Sequence, residues 1–293
     1  MKLSNQIFLL ACTLVSTFSY SQVPKLKITE VYLTGGFSNN EISNASHADF
    51  QLLAPNSNIL EQNAETFDNA SSYYSPYRTN GGFSLQTGIQ FVDKESGNLK
   101  KNPTLRLGLR YGNVNQLNGW STTEELSAYD TLVSQNTGEL HYLDSINRRT
   151  VTGNYSSEQI SLDASLIFRT NQDLRWSVYG GLGLSVGFTI NATTNIEYRE
   201  KNDTEIRGYS SDYYYIEDEN IITENYRNKS SIIGSLYAPI GVDFRLGKNS
   251  PFWNMFHLFA EAQPSINFYN IPELNRTESY TTLFFNTGIR VRW

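Results

Sequence analysis

Cysteine is almost missing from this chain of 293 residues, and the one present, Cys12, lies in a leading segment that reads as removable. Without it the mature chain has no thiol, which excludes disulfide frameworks, cysteine–zinc sites and cysteine nucleophiles. Histidine is nearly as scarce, with three residues, and methionine with two. No excess of basic charge exists, since the formal net charge is −6, and nucleic acid is excluded as a partner on that ground. After the leader, no apolar run approaches the length of a membrane-crossing helix. What the chain has in quantity is tyrosine (19) and phenylalanine (16). Strands and interfacial aromatic bands use both.

Residues 1–21 have the layout of an export signal: Lys2 at the start, a short apolar core from Ile7 to Val15, and Ser19-Tyr20-Ser21 as a small-any-small cleavage site. A lipoprotein leader is the lesser alternative, because Leu9-Leu10-Ala11-Cys12 partly matches a lipobox. Residues 22–293 then form one domain. Eight segments alternate apolar and polar side chains with the strand period of two: 28–38, 82–92, 104–112, 158–169, 176–190, 231–246, 255–268 and 281–293. Each is near the length a tilted membrane-crossing strand requires. The connections between them run long, short, long, short, long, short, medium. That alternation predicts an all-β fold, an eight-stranded antiparallel up-and-down transmembrane β-barrel with long extracellular loops and short periplasmic turns, both termini periplasmic.

The phases assign two faces. Outward positions carry Phe91, Phe168, Trp176, Phe244, Phe256 and Trp293 near one set of strand ends, and Phe37, Phe83, Tyr111, Phe188, Phe268 and Phe285 near the other. Leu107, Leu109, Ala164, Leu166, Leu182, Leu184, Ile240 and Val242 lie between. Two aromatic girdles about an aliphatic band is the pattern that a bilayer imposes. Pro239 and Pro264 fall inside strands and are expected to mark bulges. Inward positions carry Glu30, Arg106, Arg110, Asp163, Arg169, Asp243, Arg245, His257, Glu261, Arg290 and Arg292. An eight-stranded barrel is just wide enough for side chains, so these charges are expected to interlock as an ionic plug, with an ion or proton path as the alternative. Gly181, Gly183 and Gly187 are expected to give the arginines room. Ser38, Ser84, Gln86, Ser161, Thr189, Ser235 and Tyr237 line the other half of the interior, as filler or as a shallow cup that opens outward.

Among the connections, 119–157 holds a hairpin of its own, 128–134 and 139–145 around Asn136-Thr137-Gly138. The third long connection gathers Tyr213, Tyr214 and Tyr215, which offer rigid amphipathic contact area for a surface ligand. Its acidic residues match no metal-loop spacing, and neither a metal site nor a cofactor is expected.

The last stretch, TTLFFNTGIRVRW, places Asn286, Gly288, Val291 and Trp293 as in the C-terminal assembly signal of bacterial outer-membrane barrels, which it resembles. With the Phe-Ser-Tyr-Ser-Gln leader ending, YGGLGLSVGF and LYAPIGVDFRL, the chain resembles Bacteroidetes outer-membrane β-barrel proteins, PorT-like or OmpA-barrel-like. The resemblance implies outer-membrane lipid and the barrel-assembly machinery as partners, a monomer, and no particular activity. Three functions stay open: a non-enzymatic surface barrel, a narrow pore for small or apolar solutes, and a lipid-modifying enzyme. For the last, His141 with Asp144 and Ser145 is the one candidate trio, poorly supported on a hairpin. A part in a secretion machine is a distant fourth.

Overall fold

The computed structural model describes residues 26–63, 77–93, 96, 98–170, 174–206, 215–247 and 250–293. The leader and Tyr213 and Tyr214 fall outside these, and Tyr215 begins a strand whose first side chains are not described. In chain order the elements are β1 (Leu26–Glu41), β2 (Ser43–Asn44), α1 (His47–Leu53), α2 (Asn58–Gln62), β3 (Tyr77–Val92), β4 (Leu99–Val133) and β5 (Leu140–Arg169). There follow β6 (Trp176–Ile206), β7 (Tyr215–Asn228), β8 (Ile232–Tyr237), β9 (Ile240–Arg245), α3 (Pro251–Asn254), β10 (Phe256–Ile271) and β11 (Arg276–Arg292).

Among the described residues, eight wall positions close into an antiparallel ring. Neighbours pair in the order β1, β3, β4, β5, β6, the β7–β8–β9 run, β10 and β11, and β11 pairs back onto β1 with Phe37 opposite Phe285 and Glu30 opposite Arg292. Closure leaves the barrel without an unpaired edge. β7, β8 and β9 hold one register against β6, from Ala192 opposite Asn228 through Gly187 opposite Ile233 to Gly180 opposite Ile240. They are a single wall strand, interrupted at 229–231 and at Ala238-Pro239.

No bulge forms at either proline. The pairing of β10 with β11 keeps one register from His257–Arg290 through Pro264–Leu283 to Ser265–Thr282. Each proline lacks only its own donor, while its carbonyl still accepts: Gly181 N–H donates to Pro239 O at 2.9 Å and Ala238 N–H to Pro264 O at 3.0 Å. The register shift on β6 lies instead where Glu158 pairs Asn191 and Gln159 pairs Thr189. One extra β6 residue there moves its buried face from odd positions (177, 179, 185, 189) to even ones (192, 194, 196).

The strands are longer than the alternation of apolar residues suggests. β4 and β5 pair continuously from Thr104–Ile167 to Val133–Leu140, so the expected separate hairpin at 128–145 is the far end of two wall strands. β6 and β7 extend likewise to Thr204–Tyr215. Above the ring these four strands form a projecting sheet. A cross-strand charge ladder runs over it: Arg148 to Glu124 at 2.7 Å and to Asp203 at 3.7 Å, Arg149 to Glu125 at 3.2 Å, and Arg199 to Glu219 at 3.3 Å. Such pairs hold register where no apolar face does.

The first long connection folds into a cap. Ser46 caps α1 in a reciprocal box with Asp49, and Ser57 caps α2. Phe50, Leu53, Ile59 and Leu60 from these helices pack with Leu117, Val151, Tyr155, Ile196, Tyr269 and Ile271 into a buried apolar core on the concave side of the projecting sheet. Gly153 is required there, since a Cβ would lie 2.8 Å from the Phe50 ring. Polar ties fasten the cap: Arg276 to Asp49 at 3.1 Å, Ser57 Oγ–H to Glu224 at 2.6 Å, and Asn228 Nδ2–H to Leu53 O at 2.8 Å.

Candidate functional site

The barrel interior is the densest collection of chemistry-bearing side chains, and it is layered. Nearest the termini, Arg290 donates to Glu30 at 2.8 Å and to Asp243 at 2.9 Å, and Asp243 meets His257 Nδ1 at 2.6 Å. Arg169 donates to both Glu30 oxygens at 3.2 Å and to the Tyr32 hydroxyl at 2.7 Å, and that hydroxyl donates in turn to Glu30. One step up, Arg106 grips Glu261 through two nitrogens at 2.8 and 3.2 Å and donates to Ser165 Oγ at 3.1 Å. Gln263 donates to the same carboxylate. Above it Asp163 takes Arg110 at 3.1 Å, the Tyr237 hydroxyl at 2.6 Å and Gln86 Nε2 at 3.1 Å.

Four arginines thus face four carboxylates, with Arg106 and Arg290 wholly buried. Isolated ions would be costly at such depth, and only mutual pairing with full hydrogen bonding offsets their desolvation. Aromatic rings fill the space between the ions. The Arg169 guanidinium lies 5.0 Å from the Tyr179 ring centre and the Arg110 guanidinium 5.3 Å from that of Tyr237. Tyr32 packs edge-on against Phe259 at 5.8 Å. Arg245 and Arg292 sit half-buried at the rim, with Arg292 paired across from Glu30 on the neighbouring strand.

Of the three inward glycines of β6, Gly183 makes room for a tyrosine rather than for an arginine, while a Cβ on Gly181 or Gly187 would meet the β5 backbone, 2.1 Å from Leu166 O or Ile160 O. Gly183 pairs with Tyr237, where a Cβ would come within 2.3 Å of the ring; Gly241 pairs with Tyr179, where it would come within 2.5 Å. Those two rings are the ones the guanidiniums of Arg110 and Arg169 stack upon, so the glycines position the arginines indirectly.

Beyond Arg110 the interior turns neutral. Ser38, Ser161, Ser265, Asn267 and Thr282 line a chamber of about 80 Å³ that adjoins another of about 70 Å³ beside Ser185 and Ser235. It is not an outward-opening cup, because Tyr269 and Tyr280 and the apolar core under α1 and α2 lie above it. Among the described residues it reaches the outer face at a fork. β3 and β4 last pair at Gly82–Gly112, and both inward (Gly82, Gly112) and outward (Gly81, Tyr111) residues of the two strands line the chamber. Gly81 N–H to Asn113 Oδ1, 2.9 Å, bridges the fork.

The exterior is the converse of the interior. Along β6 the outward positions read Trp176, Val178, Gly180, Leu182, Leu184, Val186 and Phe188; along β5, Ile160, Leu162, Ala164, Leu166 and Phe168; along β10, Phe256, Leu258, Ala260, Ala262, Pro264, Ile266 and Phe268. None is charged, and the large ones are mostly exposed, from 42 % at Leu166 to 73 % at Leu182. Trp176 stacks with Phe244 at 4.5 Å near the termini, and Phe83 with Tyr111 at 5.1 Å and Phe37 with Phe285 at 5.9 Å at the other end. The α3 turn adds Phe252 and Trp253, packed with Phe256, to the first of these rows; sequence reading missed them because they lie in a turn. The twelve-residue step from Trp176 to Phe188 spans about 40 Å along the strand, or roughly 30 Å in height at a tilt of about 40°, against an apolar band about 25 Å tall in membrane barrels.

The terminal strand sorts cleanly. Asn286 and Gly288 point inward, and a Cβ on Gly288 would lie 2.2 Å from Leu33 O; Val291 and Trp293 point outward, the latter exposed. His141 and Ser145 share one face of β5 while Asp144 is buried on the other, so the trio does not converge.

No family model matches the chain, and no curated protein matches it. Solved structures are similar at low levels. Neisserial surface protein A is 12 % identical, with 90 % of this chain and 97 % of that one covered and a TM-score of 0.32. Ail, the attachment invasion locus protein of Yersinia pestis, in complex with the heparin analogue sucrose octasulfate, is 12 % identical, with 90 % and 99 % covered and a TM-score of 0.25. Scores this low add nothing to the geometry.

Proposed function

We propose that this chain is an integral outer-membrane β-barrel without catalytic activity, closed by its interior ion network, that presents its capped, projecting sheet at the cell surface. The carrying observation is the pairing of two opposite faces: an uninterrupted uncharged apolar exterior bounded by aromatic rows, around a charge-balanced polar interior. A soluble barrel would leave that exterior in water, far beyond the few hundred Å² of contiguous apolar surface that monomers tolerate. The short connections at the end that carries the termini fit the periplasmic side, and the long strands and cap the outer side. Asn286, Gly288, Val291 and Trp293 would serve recognition by the assembly machinery. The likeness in sequence to PorT-like Bacteroidetes barrels fits the same reading.

The test is reconstitution. The refolded protein should float with phospholipid vesicles, migrate differently on a gel before and after heating, and show no steady conductance in planar bilayers. Steady ion-selective conductance, altered in selectivity by Arg290→Ala, would make the arginine layer a pore lining instead. The fork at Gly82–Gly112 favours a second reading, in which a small solute reaches the chamber from the side. Uptake by vesicles bearing the wild type, abolished by Gly81→Trp, would support it.

A further inference from the structure

The neutral chamber above the ion layers carries hydrogen-bonding groups that the protein itself does not use. Arg110 lines both parts of it, with a side chain 21 % exposed inside the barrel. Its contacts to Gln263 Oε1 at 2.8 Å and to Asp163 Oδ2 at 3.1 Å both run through Nη2, so Nε and Nη1 have no hydrogen bond among the described residues. Two rings hold the guanidinium, with centres 5.3 Å away at Tyr237 and 5.6 Å away at Phe284. Ser38 and Ser161 also line the chamber, and both residues are buried. Neither hydroxyl has a hydrogen-bond partner among the described residues. Asn267 donates through Nδ2 to Ser265 Oγ and to Thr282 Oγ1, each at 3.2 Å, which leaves its Oδ1 unused.

Enclosed polar groups without partners are costly, so something must occupy this space. Water would satisfy the polar atoms, but the Phe284 and Tyr280 rings line the same chamber and would be wetted. Hydroxyls on a short carbon chain suit both kinds of wall, since each hydroxyl donates and accepts. Charge narrows the class. Arg110 is already matched by Asp163, so an anion would face that carboxylate and a cation the guanidinium, with little water to screen either. The chamber's two parts measure about 80 and about 70 Å³. A cavity of about 150 Å³ takes a ring of about six carbons, which sets the upper size of the occupant.

The fork supplies the entrance. β3 and β4 last pair at Gly82–Gly112, one step beyond the Phe83–Tyr111 pair of the upper aromatic row. The opening therefore stands at the membrane interface, where a polar solute arrives without crossing hydrocarbon. Below the chamber, Arg110, Tyr237 and Gln86 converge on Asp163, and Arg106 with Glu261 fills the next layer. We propose that the chamber is a dead-end binding site for a small neutral polyol, held by Arg110, Ser38, Ser161 and Asn267, which enters and leaves through the fork. This rests on the side-entry reading above and gives that site its class of ligand.

Glycerol is the probe. It is titrated into the full mature chain refolded in detergent micelles free of glycerol, and saturation-transfer and line-shape NMR give its affinity and exchange rate. The wild type should bind saturably. Ser38→Ala/Ser161→Ala should bind at least tenfold more weakly, and Asn267→Ala several-fold, while both keep the heat-dependent gel shift. Gly81→Trp, where a Cβ meets nothing nearer than Asn113 Oδ1 at 3.6 Å, should slow exchange at least tenfold. Gly35→Ala, on the outer face with nothing within 4 Å, should bind as the wild type does. Acetate and guanidinium, ions of similar size, should not displace the glycerol. No saturable binding by folded wild type, or equal binding by wild type and the double serine variant, overturns the polyol site. Displacement by either ion overturns its neutral class. Unchanged exchange in Gly81→Trp, with the serine effect intact, overturns instead the side entry on which the proposal rests.

Discussion

Removal of Arg106 separates a closed interior from a water-filled one. Its guanidinium makes two bonds to Glu261, one to Ser165 and lies 5.5 Å from the Tyr32 ring centre, while Gln263 also donates to Glu261. Both side chains of the pair are 1 % exposed. Arg106→Met preserves most of the volume and strands a carboxylate. Breaking one partner of a buried pair costs about 3–5 kcal/mol. With a urea slope of about 2 kcal/mol per molar, the unfolding midpoint should fall by about 1.5–2.5 M. Glu261→Leu should cost a similar amount by stranding the arginine.

The double variant Arg106→Met/Glu261→Leu removes one charge of each sign and leaves the other three arginines facing three carboxylates. Replacement of a buried pair by apolar residues of like volume is often neutral or better. The double variant should therefore unfold within about 1 kcal/mol of the wild type, far from the sum of the single losses. Urea titration of the four refolded proteins, followed by tryptophan fluorescence and gel shift, completes the cycle. A single-variant shift under about 0.5 M would mean that water already solvates Glu261, and the closed plug would be refuted.

Three further outcomes are expected. Gly183→Val should displace the Tyr237 ring, which a Cβ would approach to 2.3 Å, and destabilise the barrel by about 1–3 kcal/mol, whereas Gly35→Ala, with nothing within 4 Å, should be silent in the same titration. Phe50→Ala should cost the cap about 3–5 kcal/mol; protease should then cut within residues 46–63 while the heat-dependent gel shift of the barrel persists. Cysteine at Asn136 should react with an impermeant thiol reagent on intact cells and cysteine at Ser250 should not, and the reverse pattern would invert the orientation.

The barrel was legible in the sequence because its determinant is local. A wall strand between lipid and a packed interior must alternate at every second residue, as Leu283 to Trp293 does, and eight such runs with alternating connection lengths leave few arrangements. The extensions were not legible for the same reason. Beyond Tyr111 and Phe188 no lipid enforces alternation, and the strands are held by charge pairs such as Arg148–Glu124 that read as a polar loop. The cap had a local signal, the Ser46–Asp49 box followed by Phe50, Leu53, Ile59 and Leu60, but its helices are seven and five residues long, too short to show a helical period. The prolines misled because a missing donor was equated with a bulge, although a strand can lose one bond and keep its register.

For the interior, the sequence supplies which charges face inward but not which of them meet. Arg106 reaches Glu261 across 155 positions and Arg290 reaches Glu30 across 260, pairings set by strand stagger around the ring. What the stagger builds is a graded interior: ion pairs near the termini, hydroxyls and amides in the middle, and an apolar cap outermost. On the closed-barrel proposal each layer would block the lumen by a different interaction, so no single loss would open it. Loss of Arg106 weakens the ion layer without touching the cap, and loss of Phe50 loosens the cap without touching the ions. Conductance should therefore require both to fail, and a Phe50→Ala/Arg106→Met double variant is the one expected to leak.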